Sequence, residues 1–194
     1  ELGALTVAVV TKPFSFEGPS RSKVAEEGIK LLEESVDSLI VILNEKLEEV
    51  LGDEITQISA FNAADNVLYN AVAGIAEIIN VEGFVNVDFE DVKTVMSAQG
   101  KAMMGTATRE GENRAKEAAE HAVQSPLLEG IDLRGARGIL VNISASKSLK
   151  LSETKTAMES IRSFAAEDAK IIFGTVFDDS LGDELRVTVV ATGL

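Results

Sequence analysis

The sequence predicts an α/β fold at the start of the chain and an α+β fold with a small mixed sheet after it, separated by one long helix. Residues 5–10 and 39–43 are short apolar runs of strand-forming residues, and residues 23–36 between them place apolar side chains at helical spacing. This order predicts a βαβ unit with two parallel strands. Residues 61–79 are apolar on most sides, which predicts a helix buried between layers.

The second part of the chain alternates between helical and strand patterns, which predicts a small mixed or antiparallel sheet. Its last strand alternates apolar residues such as Val187 with polar Arg186 and Thr188, so we expect one face in the core and the other in water. The predicted elements are helices at 90–96, 113–123 and around 158–165, and strands at 102–108, around 139–143, at 170–176 and at 185–192.

Composition and charge exclude several classes of protein. The 194 residues include 18 Lys and Arg against 32 Asp and Glu, a formal net charge of −14, which repels a nucleic-acid backbone and an anionic lipid surface. We therefore expect no nucleic-acid partner and no direct membrane contact. We also expect a cytoplasmic protein, because no apolar run approaches the roughly 20 residues of a membrane helix.

The Cys and His content limits the chemistry further. The chain has no Cys, and His121 is its only His, which excludes disulfides, Cys nucleophiles and Cys-based zinc sites. The pattern assigns no metal ligands, and any metal would be a hard cation held by oxygens. His121 itself is expected on a helix surface. Residues 110–120 are interpreted as a mixed-charge helix face.

An acidic segment at residues 86–91 precedes a predicted helix. It contains Asn86 and, three residues apart, Asp88 and Asp91. Helix capping explains these residues, because Asn and Asp side chains accept the free amide hydrogens of a first turn. A carboxylate pair that orients water or a hard cation is the functional alternative. The spacing leaves both interpretations open.

The loop at residues 12–21 is a second candidate site. It follows the first strand directly, and ligands of doubly wound sheets bind at the carboxyl ends of the strands. Glu17 and Arg21 are therefore placed to meet a sugar and a phosphate. A solvated turn held by Pro and Gly is the structural alternative.

A third candidate is Phe61 with Asp65, one turn apart at the start of the long helix and hence on one face. An aromatic ring can stack on a purine, and a carboxylate can accept both the N1 and N2 hydrogens of guanine. The alternative is a core phenylalanine beside an acid that suits a helix start.

Several motifs in combination resemble one family. They are LTVAVVTKPF at 5–14, FEG at 16–18 with Arg21, VDSLI at 36–40, NVDFEDV at 86–92, AMMG at 102–105, SPLL at 125–128, GARG at 135–138 and LRVTVVATG at 185–193. They resemble the tubulin-like cell-division GTPases of the FtsZ family, and the resemblance spans nearly the whole chain.

The resemblance implies an organisation and an activity. Residues 1–60 would be the second half of a Rossmann-like GTP-binding domain, residues 61–82 the central helix, and residues 83–194 the C-terminal activation domain. Family members bind and hydrolyse GTP and polymerise head to tail into the division-ring filament, in the cytoplasm at mid-cell. The loop after the central helix enters the nucleotide pocket of the neighbouring subunit.

The resemblance also implies a catalytic role for the acidic segment. Asp88 and Asp91 would polarise the water that attacks the γ-phosphate, with Asn86 supporting the loop. Carboxylates can suffice without His, because phosphoryl transfer mostly needs positioning and charge stabilisation.

The nucleoside contacts implied by the resemblance come from five residues. Glu17 and Arg21 would contact the ribose and nearby nucleotide groups, and Asn44 the nucleoside. Phe61 would cover the guanine face, and Asp65 would bind its Watson–Crick edge. The implied ligand is GTP or GDP, and a Mg²⁺ or K⁺ ion at the subunit interface is a further candidate.

The chain also departs from the family. The phosphate loop GGGTGTG and the strands before it are absent, so we expect this chain alone to bind GTP poorly and to be inactive, with the N-terminal half of the GTPase domain as a missing partner. Leu43 stands where the family usually has Pro, and the tail that recruits membrane-tethering partners is absent after Leu194. Residues 1–4 resemble the last turn of a helix with a Gly cap directly before the first strand, so we expect the chain to be part of something longer.

Two further expectations follow from the missing strands. A non-enzymatic module that caps or joins filaments is the alternative to a GTPase part. In addition, Val7 and Val9 would lie on an exposed, unpaired sheet edge that invites aggregation, swapping or pairing with a partner chain.

Overall fold

A computed structural model describes residues 4–45, 54–80, 89–96, 101–124 and 136–192. The predicted elements are confirmed in these ranges, with most of their ends shifted by a turn or less. The strands are β1 (Val7–Lys12), β2 (Ser38–Leu43), β3 (Lys101–Glu110), β4 (Gly138–Ala145), β5 (Lys170–Phe177) and β6 (Glu184–Thr192). The helices are α1 (Pro19–Glu33), α2 (Gln57–Asn80), α3 (Phe89–Met96), α4 (Arg114–Val123) and α5 (Leu151–Phe164).

β1 and β2 confirm the predicted parallel βαβ unit. They pair along their whole length, from Val7 opposite Ser38 to Lys12 opposite Leu43. Five of the six residues of β2 are buried, whereas every residue of β1 is half-buried. The loop after β1 and Asn44 after β2 therefore lie at the same end of the sheet.

A single six-stranded sheet runs through both parts of the chain, in the order β1-β2-β3-β6-β4-β5. β3 and β4 are antiparallel to β6, and β5 is parallel to β4, so the predicted mixed sheet is confirmed. A short parallel pairing of Leu39 and Ile40 with the start of β3 joins it to the βαβ unit. This continuity was not predicted. The proposed domain division near residue 82 stays a prediction.

The water-facing side predicted for β6 is wrong. Thr188 is only 4% exposed and Arg186 is half-buried. The reason is the position of β6 between β3 and β4, where a second apolar cluster covers the other face. The Thr188 and Thr106 hydroxyls lie 3.3 Å apart across the strands and can hydrogen-bond, which offsets their burial.

Two hydrophobic clusters pack on the two faces of this sheet. The first joins the inward faces of α4 and α5 to β4 and β6, with Ile139, Ile161 and Leu185 fully buried. The second brings together residues of α2, α3 and the strands: Phe14, Ile40, Ile42, Ala60, Ala64, Ile75, Val95, Met96, Ala102, Met104, Leu140 and Val190. The second cluster is the one that holds α2 and the loop after β1 in place.

The expectation that α2 is buried on most sides is only partly correct. Ala64 and Ile75 are buried in the second cluster, but Ile58 is 75% exposed, Tyr69 72% and Val72 51%. The described residues pack against one side of α2 only. No helix in the described ranges combines the length and the apolar character needed to cross a membrane.

Arg114 is a buried member of the mixed-charge helix at residues 110–120. Its Nε donates to Glu153 Oε2 at 2.6 Å and its Nη2 to Oε1 at 3.0 Å, which gives a bidentate pair between α4 and α5. Its Nη1 donates to the carbonyl oxygen of Asp183 at 2.8 Å. The hydrogen bond with Arg114 holds the pKa of Glu153 below its usual value. His121, in contrast, is exposed as expected.

The substitution Gly138→Ala is expected to lower the free energy of unfolding by about 1–3 kcal/mol. An added Cβ would lie 2.9 Å from both Val95 Cγ1 and Thr192 Oγ1. Neither atom can move easily, because Val95 is buried and the Thr192 hydroxyl donates to the Val95 carbonyl oxygen at 2.8 Å. Denaturant unfolding would measure the loss.

Gly28→Ala is the matched control for Gly138→Ala. No atom lies within 4 Å of an added Cβ at Gly28, which is inside α1. Alanine is favoured there by about 1 kcal/mol. If Gly138→Ala lost no more stability than Gly28→Ala, the close approach of α3 to β4 would be contradicted.

Candidate functional site

The loop after β1 is fixed by a buried phenylalanine and by one carboxylate. Phe14 is fully buried and stacks on Phe16, with ring centroids 5.3 Å apart. The backbone then makes a short 3₁₀ turn at Ser15–Glu17. Glu17 Oε2 accepts a hydrogen bond from the Phe14 amide at 2.8 Å. The loop therefore has a defined shape before any ligand arrives.

Glu17 and Arg21 lie at the junction of this loop and α1. Gly18 makes the turn with φ of 99°, a conformation that favours glycine, and Pro19 starts the helix. Arg21 Nη1 lies 3.6 Å from Glu17 Oε1, but the Arg21 side chain is 74% exposed and that of Glu17 only 15%. Since exposed ion pairs are weak, the guanidinium is free to turn towards an anionic group while the carboxylate stays anchored.

Phe61 joins the start of α2 to the same loop. Its ring meets those of Phe14 and Phe16 edge to face, at centroid distances of 5.5 and 6.0 Å. It nevertheless stays 38% exposed, and Asp65 one turn further along α2 is also exposed. The structure therefore offers an accessible aromatic ring and a free carboxylate on neighbouring turns of one helix.

Asn44 lies at the end of β2, where the backbone turns into a helix. It is 5% exposed, and its Oδ1 has no hydrogen-bond partner among the described residues. A buried amide oxygen without a partner costs about 1–3 kcal/mol. A cavity of about 200 Å³ adjoins it, lined by Lys12, Pro13, Ser22, Ala25, Glu26, Leu43, Asn44 and Glu45.

The structure brings some of the predicted nucleoside residues together. Phe61 contacts Phe14 and Phe16, Glu17 and Arg21 form a pair at the end of the same loop, and Asp65 lies one turn from Phe61 on α2. Asn44 lines a cavity that the start of that loop and the first turns of α1 also line. Leu43 does not disturb the end of β2, since it stays paired with Lys12.

Only one of the three predicted catalytic residues lies within the described part of the chain. Asn86 and Asp88 lie outside the described residues. Asp91 falls in α3, and its side chain is not described. Their roles stay predictions. Among the residues that the structure does describe, no group of three or more acidic or His side chains could hold a metal ion.

The sequence analysis did not predict that Phe14 and Phe16 contribute to the site. Phe14 and Phe16 support Phe61 from a distance of more than 40 positions along the chain. The period-2 rule for strands gives no signal here, because Phe16 lies in the 3₁₀ turn at Ser15–Glu17 and not in an extended segment. Nothing in the local pattern identified their partner on α2.

Comparisons with known proteins agree with this architecture. Residues 1–52 match the GTPase domain of the Tubulin/FtsZ family, and residues 100–194 match the C-terminal domain of the FtsZ family. The cell division protein FtsZ of Coxiella burnetii is 60% identical over 194 residues, which is 100% of this chain and 50% of that protein. The chain belongs to the FtsZ family. The FtsZ of Pseudomonas aeruginosa is 57% identical, with 100% of this chain and 49% of that protein covered.

Solved FtsZ structures share the fold closely. An FtsZ of M. jannaschii, described as an empty dimer, gives a TM-score of 0.94 at 44% identity over 98% of this chain and 55% of that chain. CetZ1 from Haloferax volcanii, described as a GDP-bound monomer, gives 0.72 at 14% identity over 97% and 55%, which shows the fold alone. The chain spans about half the length of the curated relatives it matches.

Proposed function

We propose that this chain forms the nucleoside-binding and trans-acting part of a GTP-hydrolysing protein that polymerises head to tail into the bacterial division-ring filament. The observation that carries the proposal is the accessible Phe61 ring, held by the buried Phe14 beside Asp65 and the anchored Glu17 loop. Membership of a family with a Tubulin/FtsZ GTPase domain supports guanine nucleotide as the ligand.

Guanine recognition would use the neighbouring turns at the start of α2. The Phe61 ring stacks on the purine, a contact that any base can make. Asp65 accepts the N1 and N2 hydrogens of guanine, a pairing that adenine does not offer. Glu17 and Arg21 contact the ribose and nearby nucleotide groups. The unpaired Oδ1 of Asn44 is an acceptor for a donor of the nucleoside.

Hydrolysis would use the acidic segment in the neighbouring subunit's pocket. Asp88 and Asp91 polarise and orient the attacking water, and Asn86 supports their loop. The hydrogen bond from the Thr192 hydroxyl to the Val95 carbonyl oxygen ties α3, the helix into which this segment runs, to the sheet. A Mg²⁺ or K⁺ ion at the interface belongs to the proposal. Among the described residues, no group of three or more acidic or His side chains could hold it.

Assembly and location complete the proposal. The name "FtsZ dimer" of a solved relative supports self-association, and the names of the curated relatives support a role in cell division. The protein would act in the cytoplasm at the mid-cell ring.

Nucleotide selectivity tests the proposal most simply in a hybrid protein, in which this chain replaces the matched half of the Coxiella burnetii relative. Asp65→Asn is expected to weaken GTP binding by about 10- to 100-fold, because it removes a charged acceptor, and to leave ATP binding unchanged. Phe61→Ala is expected to weaken both nucleotides alike. Equilibrium binding of labelled GTP and ATP measures both effects.

Asp168→Asn is the control for the change of a carboxylate to an amide, since Asp168 is exposed and lies just before β5, the edge strand at the opposite end of the sheet from β1. GTP binding by Asp65→Asn as tight as by the control would contradict the guanine contact. A hybrid that turns over no GTP, together with a chain that blocks assembly of the intact relative, would favour the non-enzymatic module instead.

A further inference from the structure

Lys12 and Asn44 line the same cavity at the end of the βαβ unit. Lys12 is the last residue of β1, and it pairs with Leu43, the residue directly before Asn44. The cavity has a volume of about 200 Å³, and Ser22 on α1 also lines it. The register of the two strands therefore places a lysine and an asparagine side chain at one space beside the loop after β1.

The two side chains have complementary hydrogen-bonding needs that are not met. Asn44 Oδ1 is buried and accepts no hydrogen bond within the described residues. Lys12 is half-buried, and its ammonium group makes no ion pair or hydrogen bond with the part of the chain that the structure describes. A lysine ammonium group has three donors, and an amide oxygen has two lone pairs. One cavity is therefore lined by a donor without an acceptor and an acceptor without a donor.

The other polar side chains at the cavity do not supply a donor to Asn44. Ser22 Oγ donates to the carbonyl oxygen four residues before it, at 3.5 Å. Glu26 and Glu45 are exposed carboxylates, which accept hydrogen bonds and do not donate them when ionised. Their negative charges attract the ammonium group of Lys12 towards the cavity. Lys12 is therefore the best-placed donor for the buried amide oxygen.

We propose that Lys12 is a positioning residue of the nucleoside site, whose ammonium group donates to Asn44 Oδ1 directly or through one water in the cavity. The contact fixes the direction in which the Asn44 amide faces, because its oxygen stays on the side of the lysine. The second lone pair of Oδ1 remains for a donor of the nucleoside, so the amide is oriented before the ligand arrives. The inference rests on the proposed nucleoside contact of Asn44, but the contact with Lys12 exists without nucleotide.

Nuclear magnetic resonance of this chain without nucleotide tests the contact itself. Lys12→Met is expected to shift the side-chain amide resonances of Asn44, because it removes the donor to the amide oxygen. Asn44→Ala identifies these resonances by their loss. Lys30→Met removes an exposed cation further along α1 and is expected to leave them in place. Resonances that respond no more to Lys12→Met than to Lys30→Met would overturn the proposal.

Equilibrium binding to the hybrid protein tests the effect of Lys12 on the ligand. Lys12→Met is expected to weaken GTP binding about tenfold, and Lys12→Arg, which keeps a cationic donor, is expected to recover part of the loss. Guanosine, measured by competition with labelled GTP, should weaken by the same factor, because Lys12 acts through a nucleoside contact. In a hybrid that already carries Asn44→Ala, Lys12→Met is expected to cost less than about twofold more.

Two results in the hybrid would also overturn the proposal. A loss from Lys12→Met that is equally large with and without Asn44→Ala would show that Lys12 acts independently of Asn44. A loss for GTP with none for guanosine would show that Lys12 contacts the phosphates instead. A hybrid that binds no guanine nucleotide would contradict the proposed function, and the Asn44 resonances of the free chain would then decide on the Lys12 contact alone.

Discussion

Replacing Arg114 by methionine is expected to lower the free energy of unfolding by about 3–5 kcal/mol, because it strands the Glu153 carboxylate in a largely buried site. The Arg114 and Glu153 side chains are 8% and 12% exposed. The guanidinium also donates to the Asp183 carbonyl oxygen and to Ser148 Oγ. A single side chain therefore joins α4, the start of α5 and the turn before β6.

Two variants make this prediction sharp. Lys116→Met changes an exposed cation of the same helix and is expected to alter stability by less than about 0.5 kcal/mol. The double change Arg114→Met with Glu153→Leu is expected to recover most of the loss, because a buried ion pair exchanged for apolar side chains is often neutral. A loss in Arg114→Met no greater than in Lys116→Met would show that the pair contributes nothing.

The same pair predicts a dependence of stability on pH. The pKa of Glu153 is lowered in the folded protein, chiefly by the hydrogen bond from Arg114. The stabilisation is therefore fully present above the unfolded value of about 4.3 and is lost as the pH falls through the folded pKa. Acid unfolding followed by circular dichroism should show a smaller loss in Glu153→Gln, which has no carboxyl group to protonate.

Asp88→Ala in the hybrid protein is expected to lower kcat for GTP by about 10²- to 10⁴-fold, because a positioned base or water-orienting group contributes that much. The KM for GTP should change little, since the nucleoside contacts lie on other residues. Steady-state phosphate release measures both constants. Asp179→Ala, at an exposed carboxylate between β5 and β6, is the matched control. An Asp88→Ala hybrid with unchanged kcat would remove Asp88 from the mechanism.

Local patterns were sufficient to predict the elements of this fold. Helical spacing and apolar runs identified the βαβ unit, the long helix α2 and the mixed sheet, because each depends on residues close in sequence. The burial of Thr188 depends instead on the place of β6 between β3 and β4, which follows from pairings across 82 positions. The pairing of Arg114 with Glu153 likewise depends on a contact across 39 positions.

The candidate site also combines local features, which the sequence predicts, with contacts between distant residues, which it does not. Helical periodicity alone places Phe61 and Asp65 on one face, and the exposed Asp65 agrees with that expectation. The stacking of Phe14 on Phe16 is local, but their meeting with Phe61 depends on how α2 crosses the sheet. The lack of a partner for Asn44 Oδ1 results from the packing around the end of β2, which no spacing rule describes.

A mixing experiment tests most directly whether the hydrolytic site is shared between touching subunits. The Asp88→Ala hybrid keeps its nucleotide pocket, whereas the Asp65→Asn hybrid keeps the Asp88 and Asp91 carboxylates. The GTP concentration is chosen so that it saturates the Asp88→Ala hybrid but not the Asp65→Asn hybrid. The account predicts that the mixture hydrolyses GTP faster than the sum of the two alone, and that a partner carrying both substitutions gives no gain. Turnover equal to that sum would contradict a site completed by a neighbouring subunit.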